Sequence, residues 1–225
     1  MDIVYFVGML LLSYLCGSIP FGWLIVKATT GRDLRNIESG RTGGTNTMRA
    51  AGFLAGMATA ILDMLKGAVV CWIVQWYTPT NVWLIVLTPI MAMLGHNYSI
   101  YLLELREGGK LKLRGGAGGA PCFGGSFAFW APSFFILLPL AAAVYIFVGY
   151  ASITTISIAG FSIILFAIRA YLGLSPWEYA IYGVIAAGIV LWALRPNLAR
   201  LRNGNERPVG LRAYFKKKAN NKQKP

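Results

Sequence analysis

Residues 38–52, ESGRTGGTNTMRAAG, are polar, rich in Gly and Thr, and lie between two long apolar segments. A polar Gly-rich loop that runs into a helix is where an apolar chain would place chemistry. Gly40, Gly43 and Gly44 let the backbone approach a ligand closely. Thr45 and Asn46 are good N-cap residues for a helix expected to begin near Thr47. Free N–H groups at such a helix start favour an anion, and Arg49, one turn in, adds a bidentate clamp for phosphate or carboxylate. Two readings stand at this point, a phosphate-binding loop and an ordinary basic loop leading to a capped helix. The stretch lacks both the Gly-Lys-Ser/Thr end of a Walker A loop and the GxGxxG fingerprint.

A second Gly-rich loop, RGGAGGAP, runs from Arg114 to Pro121 and again leads into an apolar helix. Its backbone at Gly115, Gly116 and Gly118 offers N–H groups to an anion. A third polar cluster, RPNLARLRNGNE, follows the last apolar segment, with Arg195, Asn197, Arg200, Arg202 and Glu206. Positive charge at a membrane boundary explains the arginines but not Asn197 or Glu206. His96, the only histidine, follows Gly95. It donates to a ligand or caps a helix end, and both readings stand. No cysteine or carboxylate set completes a metal site around it, so no metal and no cofactor is expected. Asp63 and Lys66 are three apart within an apolar segment, so they share a helix face and can pair.

The elements that carry these residues are membrane spans. Of 225 residues, 56% are hydrophobic and 13% charged, and the mean hydropathy is +0.58. A soluble domain is usually about half apolar and a quarter charged. The net charge is +13, and ten of the 21 basic residues lie from Arg195 onward. Most of the others sit in two loops, the positive-inside pattern of a membrane protein. Nucleic-acid binding is set aside because the basic groups flank the spans. Cys16, Cys71 and Cys122 lie in or beside apolar segments and read as small buried hydrophobes. The N-terminus lacks a basic n-region and a small-residue cleavage site, so no cleavable signal peptide is expected.

The apolar segments predict an all-α protein with spans at 3–27, 54–77, 81–102, 116–130, 133–148, 151–171 and 176–194. The GSIP run interrupts the first, and Pro20 should kink it. The basic loops are 28–53 and 104–115. Residues 116–148 are too long for one crossing of about 20 residues, and Pro132 divides them. The 116–130 piece is short enough to be tilted or partly re-entrant. With the 104–115 loop and the tail both cytoplasmic, an even number of crossings must lie between them, which requires the split. The outcome is seven spans, N-terminus outside and C-terminus in the cytoplasm. Residues 1–207 form the membrane domain and 208–225 a basic tail. All three polar patches then share the cytoplasmic face, beside a hydrophobic bundle.

Taken in order, these motifs resemble the bacterial acyl-phosphate:glycerol-3-phosphate acyltransferases over nearly the whole chain. GSIPFGWLIVK looks like that family's opening GSIP run, and GRDLRNIESGRTGGTNTMRAAG is similar to its first motif, GxDIRxxGSGNxGATNxxRxxG. ILDMLKG, residues 61–67, matches its DxxKG stretch. Gly95–His96 begins the second motif, which in the family ends GGKGVAT, and RPNLARLRNGNE is similar to the third, HRENIxRLxxGxE. The resemblance implies a multi-pass protein of the bacterial inner (plasma) membrane, with its site on the cytoplasmic face. It implies glycerol 3-phosphate and acyl phosphate as substrates, membrane lipid as surroundings, and neither coenzyme A nor acyl carrier protein. The substrate's own phosphate serves as base. Carried over by position, Ser39, Asn46, Arg49, His96 and Asn197 line the site, with the basic groups neutralising phosphate. Arg41, Gly43, Gly44, Thr45, Lys110, Arg114, Gly115, Gly116 and Gly118 complete the phosphate-binding set.

Several positions depart from the family pattern, and those with a chemical consequence are these. Arg41 replaces Asn in the first motif; with GGAGGAP aligned on GGKGVAT, Ala117 replaces the phosphate-binding Lys of the second, while Lys110 in EGGKLKL gives an alternative alignment; and Leu194 and Pro196 replace His and Glu in the third. The segment between His96 and the second loop is also longer. Losing the Lys removes a charge-assisted contact of about 1.5–3 kcal/mol, which Arg41, Lys110 in EGGKLKL or Arg114 would have to supply. The alternatives are another acceptor on the same fold, or a non-catalytic lipid-binding protein. A carrier would place ionisable groups near mid-membrane and pair its broken helices; here the polar groups gather at one face.

Overall fold

Residues 3–30 form one apolar column broken at Ile19–Pro20. Helix α1 spans Ile3–Ser18 and α2 spans Phe21–Thr30. The break follows from the proline, as expected, and its freed backbone groups find side-chain partners. Lys66 Nζ donates to the Ile19 carbonyl at 2.8 Å, and Ser99 Oγ donates to the carbonyl of Ser18. The computed structural model describes residues 3–105, 108–109 and 111–222.

After a 3-10 turn at Leu34–Asn36 come α3 (Gly44–Ala51), α4 (Phe53–Tyr77) and α5 (Val82–Asn97). Strands β1 (Ser99–Leu105) and β2 (Leu111–Arg114) follow, then α6 (Gly119–Phe129) and α7 (Ser133–Ala143). A π-helical turn at Val144–Val148 leads to α8 (Ala151–Tyr171), α9 (Glu178–Arg202) and α10 (Gly210–Lys222).

The chain is helical, as the apolar pattern predicts, with a two-stranded antiparallel hairpin added where a loop was expected. Among the described residues four stretches are long and apolar enough to cross a membrane: Ile3–Thr30, Phe53–Tyr77, Ala151–Tyr171 and Glu178–Arg202. Two shorter apolar helices, Val82–Asn97 and Ser133–Val148, accompany them. The third span was expected to reach residue 102, but α5 ends at Asn97, where β-branched and aromatic residues favour extended chain. Helix α6 has 11 residues; at a rise of about 1.5 Å each it covers roughly half the hydrocarbon thickness. It is buried among its neighbours, with Gly119, Cys122, Gly124, Gly125 and Ser126 all inaccessible.

The core lies between α5, α6, α8 and α9, around Met93, Cys122, Ala159, Tyr182 and Val190. Tyr182 Oη is fully buried and donates to the Cys122 carbonyl at 2.9 Å. Helices α1 and α5 touch backbone to backbone: a Cβ added at Gly95 would lie 2.2 Å from the Tyr14 carbonyl oxygen. Small residues permit such an approach. Pro89 leaves the Ile85 carbonyl without its helical donor, and Thr88 Oγ1 supplies one at 3.0 Å. Cys71 and Cys122 are buried and Cys16 is half-buried, as small hydrophobes should be. The tail begins with α10, which packs on the π turn, and Val209 N–H donates to the Gly149 carbonyl at 2.9 Å.

Candidate active site

The first polar loop does not cap its helix with Thr45 or Asn46. Helix α3 starts at Gly44, and Gly43 is its N-cap, with extended backbone and no side-chain bond. The reason is that Asn46 is turned inward. Its Nδ2 donates to the carbonyls of Arg41 at 2.8 Å, Ile37 at 3.0 Å and Leu34 at 3.4 Å, so it holds the loop closed. A Cβ at Gly43 would meet nothing within 4 Å, whereas one at Gly44 would lie 2.8 Å from the Gly56 carbonyl oxygen of α4. Gly43 therefore opens onto free space, and Gly44 serves helix packing. Thr45 is half-buried, and Ser39 Oγ accepts from Arg41 N–H at 3.4 Å. Arg49 is exposed on α3.

Arg41 joins the three motif segments. Its Nη1 donates to the Gly116 carbonyl at 2.7 Å, and its Nη2 donates to the carbonyl of Ala193 on α9. Pro196 bears on this contact. It removes the donor to the Trp192 carbonyl, which Arg195 Nε takes up at 3.2 Å, and the next carbonyl along is the one Arg41 reaches. Burial, with Arg200 nearby, pulls the Arg41 guanidinium below the usual arginine range. Among the described residues no carboxylate forms an ion pair with it. Glu206 acts on it without pairing, so this half-buried guanidinium is a place for a further anion.

Backbone bonds stitch the same segments together. Thr42 N–H donates to the Gly115 carbonyl at 3.3 Å, and Gly116 N–H to the His96 carbonyl at 2.8 Å. The His96 ring points its Nε2 edge at the second loop: a Cβ at Gly116 would fall 1.9 Å from Nε2 and 2.6 Å from Cε1. On the other side His96 Nδ1 is 3.6 Å from Asp63 Oδ1, which is itself 2.9 Å from Lys66 Nζ. All three side chains are buried. Asp63 thus orients His96 with its Nε2 toward the loop. The pair read from the sequence is a triad drawn from two helices.

Arg114 is occupied elsewhere. Its Nε donates to Glu104 Oε2 at 2.9 Å, and Glu104 Oε1 is 3.0 Å from Arg35 Nη1. Arg35 also grips Asp33, its Nη2 being 2.6 Å from Oδ2, and Trp23 Nε1 donates to Asp33 Oδ1 at 3.1 Å. This network clamps the hairpin to the first loop, and the Arg35 hydrogen bond holds the Asp33 carboxyl at about 2. Lys110 lies outside the described residues.

Asn197 sits on α9, and its Nδ2 donates to Glu206 Oε1 at 3.2 Å. Glu206 is buried and also accepts from Ser152 Oγ at 2.8 Å. Arg207 pairs with Glu38, tying the chain after α9 to the first loop. Among the described residues no group of three metal-binding side chains occurs. Sequence reasoning missed Asn97, whose buried carboxamide faces Gly118. Its only signal was a polar residue next to His96 at the end of an apolar helix.

Residues 7–204 match the family described as Glycerol-3-phosphate acyltransferase. A glycerol-3-phosphate acyltransferase of Thermus thermophilus is 35% identical over 205 residues, covering 91% of this chain and 95% of that protein. The protein of the same name from Syntrophomonas wolfei is 33% identical over 203 residues, covering 90% and 96%. Among solved structures, PlsY (YgiH), an integral membrane glycerol 3-phosphate acyltransferase, superposes in its glycerol 3-phosphate form with a TM-score of 0.79. The identity is 26%, over 94% of this chain and 98% of that one. Its lysophosphatidic acid form gives a TM-score of 0.77 at 25% identity, over 94% and 99%.

Proposed function

The chain belongs to the glycerol-3-phosphate acyltransferase family, and we propose how its three motif segments carry out the transfer. It is a multi-pass membrane acyltransferase that acts on glycerol 3-phosphate. The donor is an acyl phosphate. The 1-hydroxyl oxygen attacks the carbonyl carbon, an ester C–O bond forms, and the bond from that carbon to the phosphate oxygen breaks. The hydroxyl proton passes to a phosphate oxygen of the substrates. The products are 1-acylglycerol 3-phosphate and inorganic phosphate. The donor is already activated, so the protein need only position two anions and stabilise charge.

The observation that carries this reading is the Arg41 guanidinium, half-buried, without an ion-pair partner among the described carboxylates, and bonded to both the second loop and α9. It supplies positive charge beside Ala117, where the resembled motif has Lys. Ser39, the backbone from Gly43 to Thr45, and Arg49 meet substrate from the first loop. Gly115, Gly116 and Gly118 meet it from the second. His96 lies beneath the loop, oriented by Asp63, and Asn197 approaches from α9, oriented by Glu206. Asn46 keeps the first loop in shape, and Arg114 fixes the hairpin. Lys110 is a second source of positive charge.

The distribution of basic residues supports seven crossings, an outside N-terminus and a cytoplasmic C-terminus in a bacterial plasma membrane. The site then opens to the cytoplasm, where glycerol 3-phosphate is soluble. Residues 1–207 form the membrane domain and 208–225 the basic tail.

Purified protein given palmitoyl phosphate and labelled glycerol 3-phosphate should form labelled lysophosphatidic acid. Arg41→Ala should lose that activity. Full activity in both Arg41→Ala and Lys110→Ala variants would overturn the assignment of the replacement cation.

A further inference from the structure

Asn97 is the last residue of α5 and is 5% exposed. Neither its Nδ2 nor its Oδ1 has a hydrogen-bond partner among the described residues. A buried carboxamide left wholly unpaired is costly, so an unpaired one at a site marks a missing ligand. Its surroundings name the place. A Cβ at Gly118 would lie 3.2 Å from Nδ2, 3.2 Å from Oδ1 and 3.3 Å from Met93 Cε. Gly118 is the left-handed N-cap of α6, φ +89°, and no side chain caps that helix. The first amides of α6 therefore also lack side-chain partners. Pro121 has no N–H, which leaves those of Gly119 and Ala120 to meet an anion.

The orphaned pair is one donor and one acceptor on a single planar group. An anion alone satisfies the donor and leaves Oδ1 unpaired. A hydroxyl alone can bridge the two atoms, but it leaves the α6 amides without an anion. A ligand carrying a phosphate oxygen and a neighbouring hydroxyl satisfies both. We propose that Asn97 is a specificity-determining residue for the acceptor: Nδ2 donates to its phosphate, and Oδ1 accepts from its 2-hydroxyl. The α6 amides share the phosphate. This rests on the reading of glycerol 3-phosphate as acceptor, and it explains why the chain would distinguish that substrate from a phosphate-bearing alcohol lacking the second hydroxyl.

The experiment compares glycerol 3-phosphate with 3-hydroxypropyl phosphate, which lacks only the 2-hydroxyl, both at saturating palmitoyl phosphate. The full-length protein in nanodiscs should favour glycerol 3-phosphate in kcat/KM by at least about tenfold. Asn97→Leu should bring that preference to within about twofold of unity. Asn97→Asp keeps the acceptor but places a carboxylate beside the phosphate. It should raise KM for both acceptors by about tenfold while retaining a preference between them. A merely structural role would lower both acceptors equally and leave the ratio intact, and that result overturns the proposal. An active wild type with no preference between the two also overturns it, while leaving the transferase reading standing. No product from the wild type with either acceptor removes both.

Discussion

Arg41 and Gly116 are 75 residues apart in sequence, yet the guanidinium of one donates to the carbonyl of the other at 2.7 Å. Two departures from the family pattern meet at this contact. Arg41 brings charge from the first motif to the loop whose own lysine position holds Ala117. Arg41→Ala should lower kcat/KM about tenfold to a hundredfold, equivalent to ~1.5–3 kcal/mol of charge-assisted bonding. Adding Ala117→Lys should restore part of that loss, because the charge returns to the same loop. Steady-state kinetics on the single and double variants decide it. A double variant no better than Arg41→Ala would separate the two positions.

The two Gly-rich loops should answer alanine differently. At Gly43 a methyl group meets open space, and φ is −84°, which any residue adopts. At Gly116 it would overlap the His96 ring, 1.9 Å from Nε2. Gly43→Ala should keep kcat within about threefold and raise only the KM for glycerol 3-phosphate, because its methyl group enters the space the loop opens to substrate. Gly116→Ala should lose activity by about a hundredfold, because a displacement of an ångström at a reacting site has that effect. Both proteins should elute as the wild type does in size-exclusion chromatography. Equal activity in the two variants would mean that His96 does not need its present place.

Much of the candidate site could be assembled from sequence because its signals are local. The Gly-rich runs, the ordered motifs and the break at Pro20 each lie within a few residues, and periodic hydropathy marks the spans around them. What escaped depends on distant partners. Asn46 has a good N-cap side chain, but three loop carbonyls compete for its amide and win, so Gly43 caps α3 instead. Asp63 and Lys66 can be paired by their spacing, whereas His96 joins them only because α4 packs beside α5. The hairpin pairs Leu103 with Leu113 and Leu105 with Leu111; its local signal, Gly108–Gly109 with both φ positive, lies inside a basic run that reads as a loop.

The Asp63–Lys66–His96 triad should behave as a coupled unit in stability. Lys66→Met leaves a buried carboxylate without its closest cation and removes the donor to the Ile19 carbonyl at the α1–α2 break. Breaking a buried pair from one side costs about 3–5 kcal/mol, whereas replacing both members by apolar groups is often close to neutral. The midpoint of thermal unfolding in detergent should fall by several degrees for Lys66→Met and for Asp63→Leu. It should fall by much less than their sum in the double variant. Strict additivity would show that the two side chains do not interact energetically. Activity should not return with stability in the double variant, because His96 loses the carboxylate that orients it.

The clamp between the first loop and the hairpin should loosen in acid. Asp33 is held at about 2, chiefly by its hydrogen bond from Arg35, and Arg114 holds Glu104 below the usual glutamate range. Both carboxyls are depressed in the folded chain, so the unfolded loop binds protons first as the pH falls. The stabilisation is therefore fully present above the ordinary carboxylate range, and for Asp33 it is lost as pH drops toward 2. Amide hydrogen exchange across residues 31–43, corrected for the intrinsic pH dependence, should be flat from pH 7 to 5 and lose protection between about 4 and 2. Arg35→Gln removes the chief partner of Asp33 and one of the two arginines on Glu104, so that variant should show weaker protection at pH 7 and a smaller further loss on acidification. The same acid-dependent loss in Arg35→Gln as in the wild type would place the titrating group elsewhere.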